Sequence, residues 1–190
     1  MRVPPVLTER LALVSLPAGA LRDLVAGRTS ASERRLRVRL PEDFARRAHG
    51  LLQIRLKDVE EDAGARPWLL RLIVLRGQAT RTAEGTHPVP TAVGLIGFHG
   101  RPDEQGRAEV GYEVFEPFRR RGYAKEAVTG LLGWAARRHG VRTFLAAIGP
   151  DNEPSMRLAL GMGFKQVGLQ VDEADGLELV YELAGVLEGR

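Results

Sequence analysis

The chain has 190 residues, 44% of them apolar, enough for one domain with a full hydrophobic core and too few for two. Its 28 basic and 24 acidic residues leave a net charge of +4 spread along the sequence, with Lys57, Lys125 and Lys165 the only lysines, a balance that argues against a nucleic-acid binder. The absence of cysteine excludes disulfides, thiolate nucleophiles and cysteine metal sites together, and with no bilayer-length apolar run and no signal-like N-terminal stretch the expectation is a soluble, cytoplasmic protein.

Residues 8–16 alternate apolar and polar side chains, which predicts a first strand buried on one face, ended by Pro17. Helical spacing follows over 18–26 and again from Pro41 to about Glu61, where Phe44, Ala48, Leu51, Leu52, Ile54 and Val59 recur. Residues 68–76 read as a strand, followed by a polar loop with Gly85 and Pro88 and a strand over 92–99. The turn Asp103-Glu104-Gln105-Gly106 leads into a third strand of an antiparallel meander, 107–114. Beyond Pro117, the spacing of Ala124, Val128, Leu131, Leu132 and Ala135 predicts a long amphipathic helix that stops at Gly140 behind Arg137, Arg138 and His139. A strand over 141–148, a short helix opened by Asp151-Asn152-Glu153-Pro154, the breakers Gly161 and Gly163, and strands over 164–171 and 177–183 complete a mixed α/β sandwich on a largely antiparallel sheet.

The chemistry concentrates at Phe118-Arg119-Arg120-Arg121-Gly122-Tyr123-Ala124-Lys125. A strand ending near Val114, then a basic glycine-containing turn that opens directly into a helix, gathers backbone N–H groups with no intrahelical acceptor, and such a terminus binds anions. Gly122 and Ala124 let a ligand approach the backbone, and the arginines add charge; a solvated turn is the plainer alternative.

The spacing Arg119-x-x-Gly122-x-Ala124 resembles the Gln/Arg-x-x-Gly-x-Gly/Ala motif of the GNAT superfamily of N-acetyltransferases, whose loop binds the pyrophosphate of acetyl-CoA. Two further blocks match in order: Ala108-Glu109-Val110-Gly111-Tyr112-Glu113-Val114 resembles the superfamily's splayed cofactor strand, and Asn152-Glu153-Pro154-Ser155 with Gly161-Met162-Gly163-Phe164 resembles its Asn-x-x-Ser…Gly-Phe block. The opening Leu7-Thr8-Glu9-Arg10-Leu11 is similar to the RimJ/RimL-type branch, which acetylates protein N-terminal amines among other substrates. Each piece alone is weak, and the combination carries the specificity.

The resemblance implies a GNAT-like α/β fold with helices on both faces of the sheet and acetyl-CoA as acyl donor. The backbone of Tyr112, Glu113 and Val114 would pair with the pantetheine arm. Arg119, Arg120, Arg121, Gly122, Tyr123, Ala124 and Lys125 would hold the pyrophosphate, and Asn152 would touch the arm near the thioester while also capping its helix. In the implied reaction a neutral amine attacks the thioester, so a base must take an ammonium proton and an acid must meet the departing thiolate. Glu109 is favoured as base by the Ala-Glu-x-Gly-Tyr stretch. Glu113 shares its strand face, however, and bound water or a simple carboxylate–arginine pair also remains open. Ser155 is the candidate acid, or else an ordinary first-turn serine. Another branch of the superfamily uses a Glu and a Tyr where this chain has Ala147 and Ala159, so that pair is absent.

His87, His99 and His139 lack the paired spacing of a zinc site, His99 reads as a loop histidine that could line the cleft, and Trp68 and Trp134 read as core. Asp172-Glu173-Ala174-Asp175-Gly176 reads as a hairpin turn, with Gly176 at positive φ. The expected partner is an amine acceptor, either a small molecule or a protein N-terminus, with no membrane partner and a homodimer as one option. A non-catalytic acyl-CoA sensor is the competing function.

Overall fold

The computed structural model describes residues 3–80, 89–172 and 176–185. Eight strands form one sheet in the order β1-β2-β3-β4-β5-β6-β8-β7. β1 (Val6–Leu7), β2 (Leu11–Ser15), β3 (Arg71–Thr80), β4 (Val89–Phe98) and β5 (Arg107–Val114) run as an antiparallel meander. A 3-10 turn at Glu116–Phe118 and helix α5 (Tyr123–His139) then cross over to β6 (Thr143–Ile148), which lies parallel to β5. After α6 (Glu153–Gly161), β7 (Lys165–Asp172) and β8 (Gly176–Ala184) form a hairpin whose second strand inserts beside β6.

Several elements depart from the pattern in the sequence. The first predicted strand, 8–16, forms only as β2, because a turn places Thr8 and Arg10 against α5, and the short β1 precedes that turn. Two helices, α1 (Ala18–Val25) and α2 (Thr29–Leu36), stand where only the first was expected. α2 has little apolar periodicity, and its inward residue is the buried Ser32, whose hydroxyl donates to the Ala20 carbonyl. The segment from Pro41 divides into α3 (Phe44–Arg47) and α4 (His49–Glu61). β3 begins at Arg71 rather than Trp68. The loop with Gly85, Pro88 and His87 lies outside the described residues, as do 173–175 of the terminal hairpin turn; Gly176 does have φ +78°.

The sheet separates two apolar clusters. On one face α5 packs through Val128, Leu131, Leu132 and Ala135 onto Leu11, Leu13, Ile73, Val110 and Phe144, with Trp68 also in this core. On the other, α1 to α4 bring Leu21, Leu24, Phe44 and Leu52 against Leu72, Val74, Leu95 and Phe115. Neighbouring residues of β3 go to opposite clusters, the period-two alternation of a strand covered on both sides.

One irregularity matters for function. β4 pairs Gly94 with Ile73 but Ala92 with Val74, leaving Val93 as the extra residue of a bulge. Gly94 then lies so close to β5 that a Cβ there would stand 2.2 Å from the Glu113 carbonyl oxygen.

Candidate active site

β5 and β6 pair only from Arg107, Ala108 and Glu109 to Thr143, Phe144 and Leu145. Beyond that the strands part, β6 continuing against β8 and β5 against β4. His99 N–H donates to Glu109 O at 2.9 Å and Phe115 N–H to Val93 O at 2.9 Å, so odd-numbered residues of β5 turn their backbone groups toward β4. Val110, Tyr112 and Val114 therefore turn theirs into the gap, which is an open edge ready to pair with an extended ligand. Arg119 already uses part of it, Nε donating to Val114 O at 3.0 Å.

At the wide end of the gap stands the turn into α5. Gly122 is the residue before the helix, at φ +79°, and no side chain caps the helix. Arg120 is left-handed as well, at φ +61°, one of only two such non-glycine residues described. Left-handed residues two apart curl the backbone so that successive N–H groups converge, a strained arrangement typical of anion sites. The N–H groups of Tyr123, Ala124 and Lys125 have no intrahelical acceptor, the first helical bond being Glu126 N–H to Gly122 O at 3.1 Å. None of Arg119, Arg120, Arg121 and Lys125 is paired with a carboxylate among the described residues. The side chain of Tyr123 packs into the core, leaving its N–H as the group it can offer.

The turn is braced from the N-terminal segment, a feature the sequence signalled only as a motif of resemblance. Glu126 in the first turn of α5 accepts from the Thr8 hydroxyl at 2.6 Å, the Arg10 N–H at 2.7 Å and Arg10 Nε at 2.7 Å. Arg10 Nη1 then donates to the Arg121 carbonyl at 3.1 Å, and its guanidinium lies 5.0 Å from the Tyr123 ring centre. Burial would raise the Glu126 carboxyl, but hydrogen bonds from Thr8 and Arg10 and the charge of Arg10 outweigh it and hold its pKa below the ordinary value.

At the narrow end, Glu109, Gly111 and Glu113 face the α3–α4 side while Ala108, Val110, Tyr112 and Val114 face α5. Both carboxylates thus share a face, as expected from their spacing. Glu113 lies 3.2 Å from Arg47 of α3. Glu109, 26% exposed, lies at the last residue pair before the strands part, with Oε1 3.3 Å from His99 Nδ1. His99 does line the cleft: a cavity of about 180 Å³ is bounded by His99, Gly111, Glu113, Arg55 and Leu51. A second, of about 280 Å³, adjoins it past Glu113 and is lined by Asp43, Phe44 and Arg47.

Across the gap, Asn152 Oδ1 caps α6 by accepting from Ser155 N–H at 3.2 Å, so the side chain has the capping role anticipated for it. Ser155, Leu158, Ala159 and Met162 recur at i, i+3, i+4 and i+7, one helix face, and the last three line a small void with Tyr112 and Val110. The Tyr112 hydroxyl, which sequence reasoning passed over, is buried with no hydrogen bond to any described residue. Burial pushes it above the usual phenol range, and the nearby Ser155 hydroxyl offsets this in part without reaching hydrogen-bond geometry. No cluster of metal-ligating residues occurs among the described residues, and no described helix is long and apolar enough to cross a membrane.

A strained, cation-rich helix terminus is continuous with an open strand edge that leads to a cleft bordered by Glu113, an arrangement with the chemistry to bind an extended, phosphate-bearing molecule. The chain belongs to the GNAT acetyltransferase family, whose domain model matches residues 17–165. Members of this family use acetyl-CoA. The uncharacterized N-acetyltransferase YoaA of Bacillus subtilis (strain 168) is 36% identical over 77 residues, 40% of this chain and 44% of that protein. The uncharacterized N-acetyltransferase p20 of Bacillus licheniformis is 32% identical over 98 residues, 52% of this chain and 55% of that one, so the chain spans about half the length of these relatives. Among solved structures, the ribosomal-protein-S5-alanine acetyltransferase from Vibrio fischeri shares the fold with a TM-score of 0.60 at 14% identity, over 98% of this chain and 99% of that one. The acetyltransferase from Agrobacterium tumefaciens str. C58 does so with a TM-score of 0.57 at 24% identity, over 96% and 95%.

Proposed function

We propose that the chain acts as one acetyltransferase domain that moves the acetyl group of acetyl-CoA to a primary amine by direct attack. The observation that carries this is the continuity of the site: the Arg119 to Lys125 turn, the open backbone edge at Tyr112 and Val114, and the cleft lined by Glu113, Gly111 and His99 follow one another along β5. The turn holds the pyrophosphate through backbone N–H groups and unpaired cations, and the strand edge guides the pantetheine arm inward. Asn152, at the head of α6, stands by that arm. The thioester then lies near the point where the strands part, between the Glu109 face of β5 and Ser155. The ammonium proton of the acceptor leaves on the Glu109 side. Ser155, with the Tyr112 hydroxyl behind it, donates to the sulfur as negative charge develops there.

The acceptor is an amine on a small molecule or a protein N-terminus. The second class is supported by fold neighbours such as the Vibrio fischeri ribosomal-protein-S5-alanine enzyme. Thiol release from acetyl-CoA, measured against amino acids, polyamines and peptides with free N-termini, tests the reading. Turnover that falls in Ser155→Ala with acetyl-CoA affinity retained is the expected result. Tight acetyl-CoA binding with no turnover on any amine would instead make the chain a CoA-binding module.

A further inference from the structure

We propose that His99 Nε2 is the atom that takes the proton from the acceptor's ammonium group, with Glu109 acting through His99 as a positioning residue. This rests on the acetyl-transfer reading and sharpens its base. The imidazole has a built seat. On the face of β5 that carries Glu109 and Glu113, the intervening position is Gly111, and a Cβ there would stand 2.9 Å from His99 Nε2. The missing side chain is the space into which the ring's Nε2 edge fits. The His99 backbone is held from both sides: its N–H donates to Glu109 O at 2.9 Å, and its carbonyl accepts from Arg55 Nη1 at 3.1 Å. Arg55 is itself fixed by Asp58 at 2.7 Å.

The pair has the polarity a base needs. Glu109 Oε1 lies 3.3 Å from Nδ1, outside hydrogen-bond geometry in this structure, and a small turn of the ring lets the carboxylate accept the N–H of the neutral imidazole and leaves the Nε2 lone pair as acceptor. His99 borders the cavity of about 180 Å³, which also touches Glu113, Arg55 and Leu51. The charged groups facing the imidazole are Glu109 and Glu113 of β5 and Arg55 of α4, and Arg47 of α3 is turned to Glu113. Two carboxylates draw an ammonium toward the cleft, and the imidazole beside them is placed to take its proton. The nitrogen sheds two protons in all. The first passes to Nε2, giving imidazolium, and then to solvent. The freed amine attacks the thioester carbon, the C–S bond breaks with its electron pair going to sulfur, and the second proton ends on that sulfur.

The test is kcat/KM against pH for acetylation of the best acceptor in the amine panel, in the intact chain and in His99→Gln, His99→Ala, Glu109→Gln and Gly111→Ala, with acetyl-CoA Kd measured for each. The His99 variants should lose about 100-fold in kcat/KM with Kd unchanged. The acid limb of the profile should be displaced in the His99 variants. Added imidazole should restore part of the His99→Ala loss. Glu109→Gln should cost about tenfold alone and nothing further in the His99→Gln background, while Gly111→Ala, which displaces the ring without deleting it, should resemble His99→Gln. His99 variants that keep the acid limb and stay within threefold of the parent, while Glu109→Gln is severe, would overturn the proposal and make Glu109 the base. A parent chain that binds acetyl-CoA but turns over no amine would overturn the transfer reading and this inference with it.

Discussion

Replacing Gly122 by alanine isolates the turn at the head of α5. Gly122 sits at φ +79°, where an L-residue costs about 1–2 kcal/mol more than glycine. The added Cβ would also stand 3.3 Å from Arg10 Nη2, the guanidinium that braces the turn through the Arg121 carbonyl. If the turn keeps its shape, that strain lowers the apo melting temperature by roughly 2–8 °C, at about 2–4 °C per kcal/mol for a chain of this size. If the turn relaxes, φ changes sign and the converging N–H groups fan out, so the strain appears as weakened binding; about 1.4 kcal/mol transferred in this way is a tenfold rise in the acetyl-CoA Kd. Thermal melts with and without ligand separate the two. At a concentration of 100 Kd for the parent, acetyl-CoA stabilises by about 2.7 kcal/mol, and a tenfold weaker variant retains roughly half of that. We expect both a lower apo melt and a smaller ligand-induced shift. An apo melt that stays level, the mark of a relaxed turn, together with an undiminished ligand shift would refute the placement of the pyrophosphate on this turn.

Glu126→Gln should raise the acetyl-CoA Kd about tenfold, because the bracing of Arg10 against the turn is lost, and should cost about 1.5 kcal/mol of stability at neutral pH. The Glu126 carboxyl is held low in the folded chain, so its contribution is complete above its unfolded pKa and is lost as pH falls through the folded one. The stability difference between parent and variant, read from denaturant melts, should therefore shrink below about pH 4.5. Tyr112→Phe removes a buried hydroxyl that has no hydrogen-bond partner, so the melt should stay level or rise, while kcat falls about tenfold and Ser155→Ala adds little to that loss; an unchanged kcat would remove Tyr112 from the acid side. Arg71 is fully buried in the core, its guanidinium donating to the carbonyls of Leu13 at 3.2 Å and Pro67 at 2.7 Å and stacking 5.1 Å from the Trp134 ring centre, with its pKa pushed down to about 10 chiefly by burial. Arg71→Ala strips those carbonyls of their donor and opens a cavity, and should cost about 3–5 kcal/mol, lowering the melting temperature by roughly 10 °C.

What could be read directly from the sequence was whatever depends on local spacing. The strand pattern of 107–114 and the 3.6 period of Ala124 to Ala135 stand in the structure as β5 and α5, and the basic glycine turn between them has the left-handed geometry an anion site requires. α2 was hidden because its inward residue is Ser32, whose burial is made tolerable by a hydrogen bond to Ala20, and no apolar stripe announces such a helix. Arg71 sits amid an apolar run and would pass for a surface strand residue, because two of its carbonyl partners, Pro4 and Leu13, come from segments distant in sequence.

The cleft was the least legible part, and His99 shows why. A histidine one residue beyond a strand carries no spacing signal, and its meaning depends on three residues from elsewhere: Glu109 on its Nδ1, Gly111 vacating the space for its ring, and Arg55 holding its carbonyl. In the sequence, Gly111 reads as one position of a family motif with no stated task. In the fold, two glycines bring β4 and β5 together around the site by different means. Gly94 lets β4 approach the backbone of β5 at Glu113, and Gly111 makes room for the side chain that β4 delivers at its end. The bulge at Val93 falls just before Gly94, so the strand that carries His99 is re-aimed at the place where β5 begins to part from β6. Deleting Val93 would leave Ala92 opposite Val74 and Gly94 opposite Ile73, so β4 would pair with β3 without a bulge and the following residues would keep their faces. What would be lost is the bend of β4 and the Val93 carbonyl that accepts from Phe115 N–H, so the aim of His99 and the pairing of β4 with β5 depend on the same extra residue.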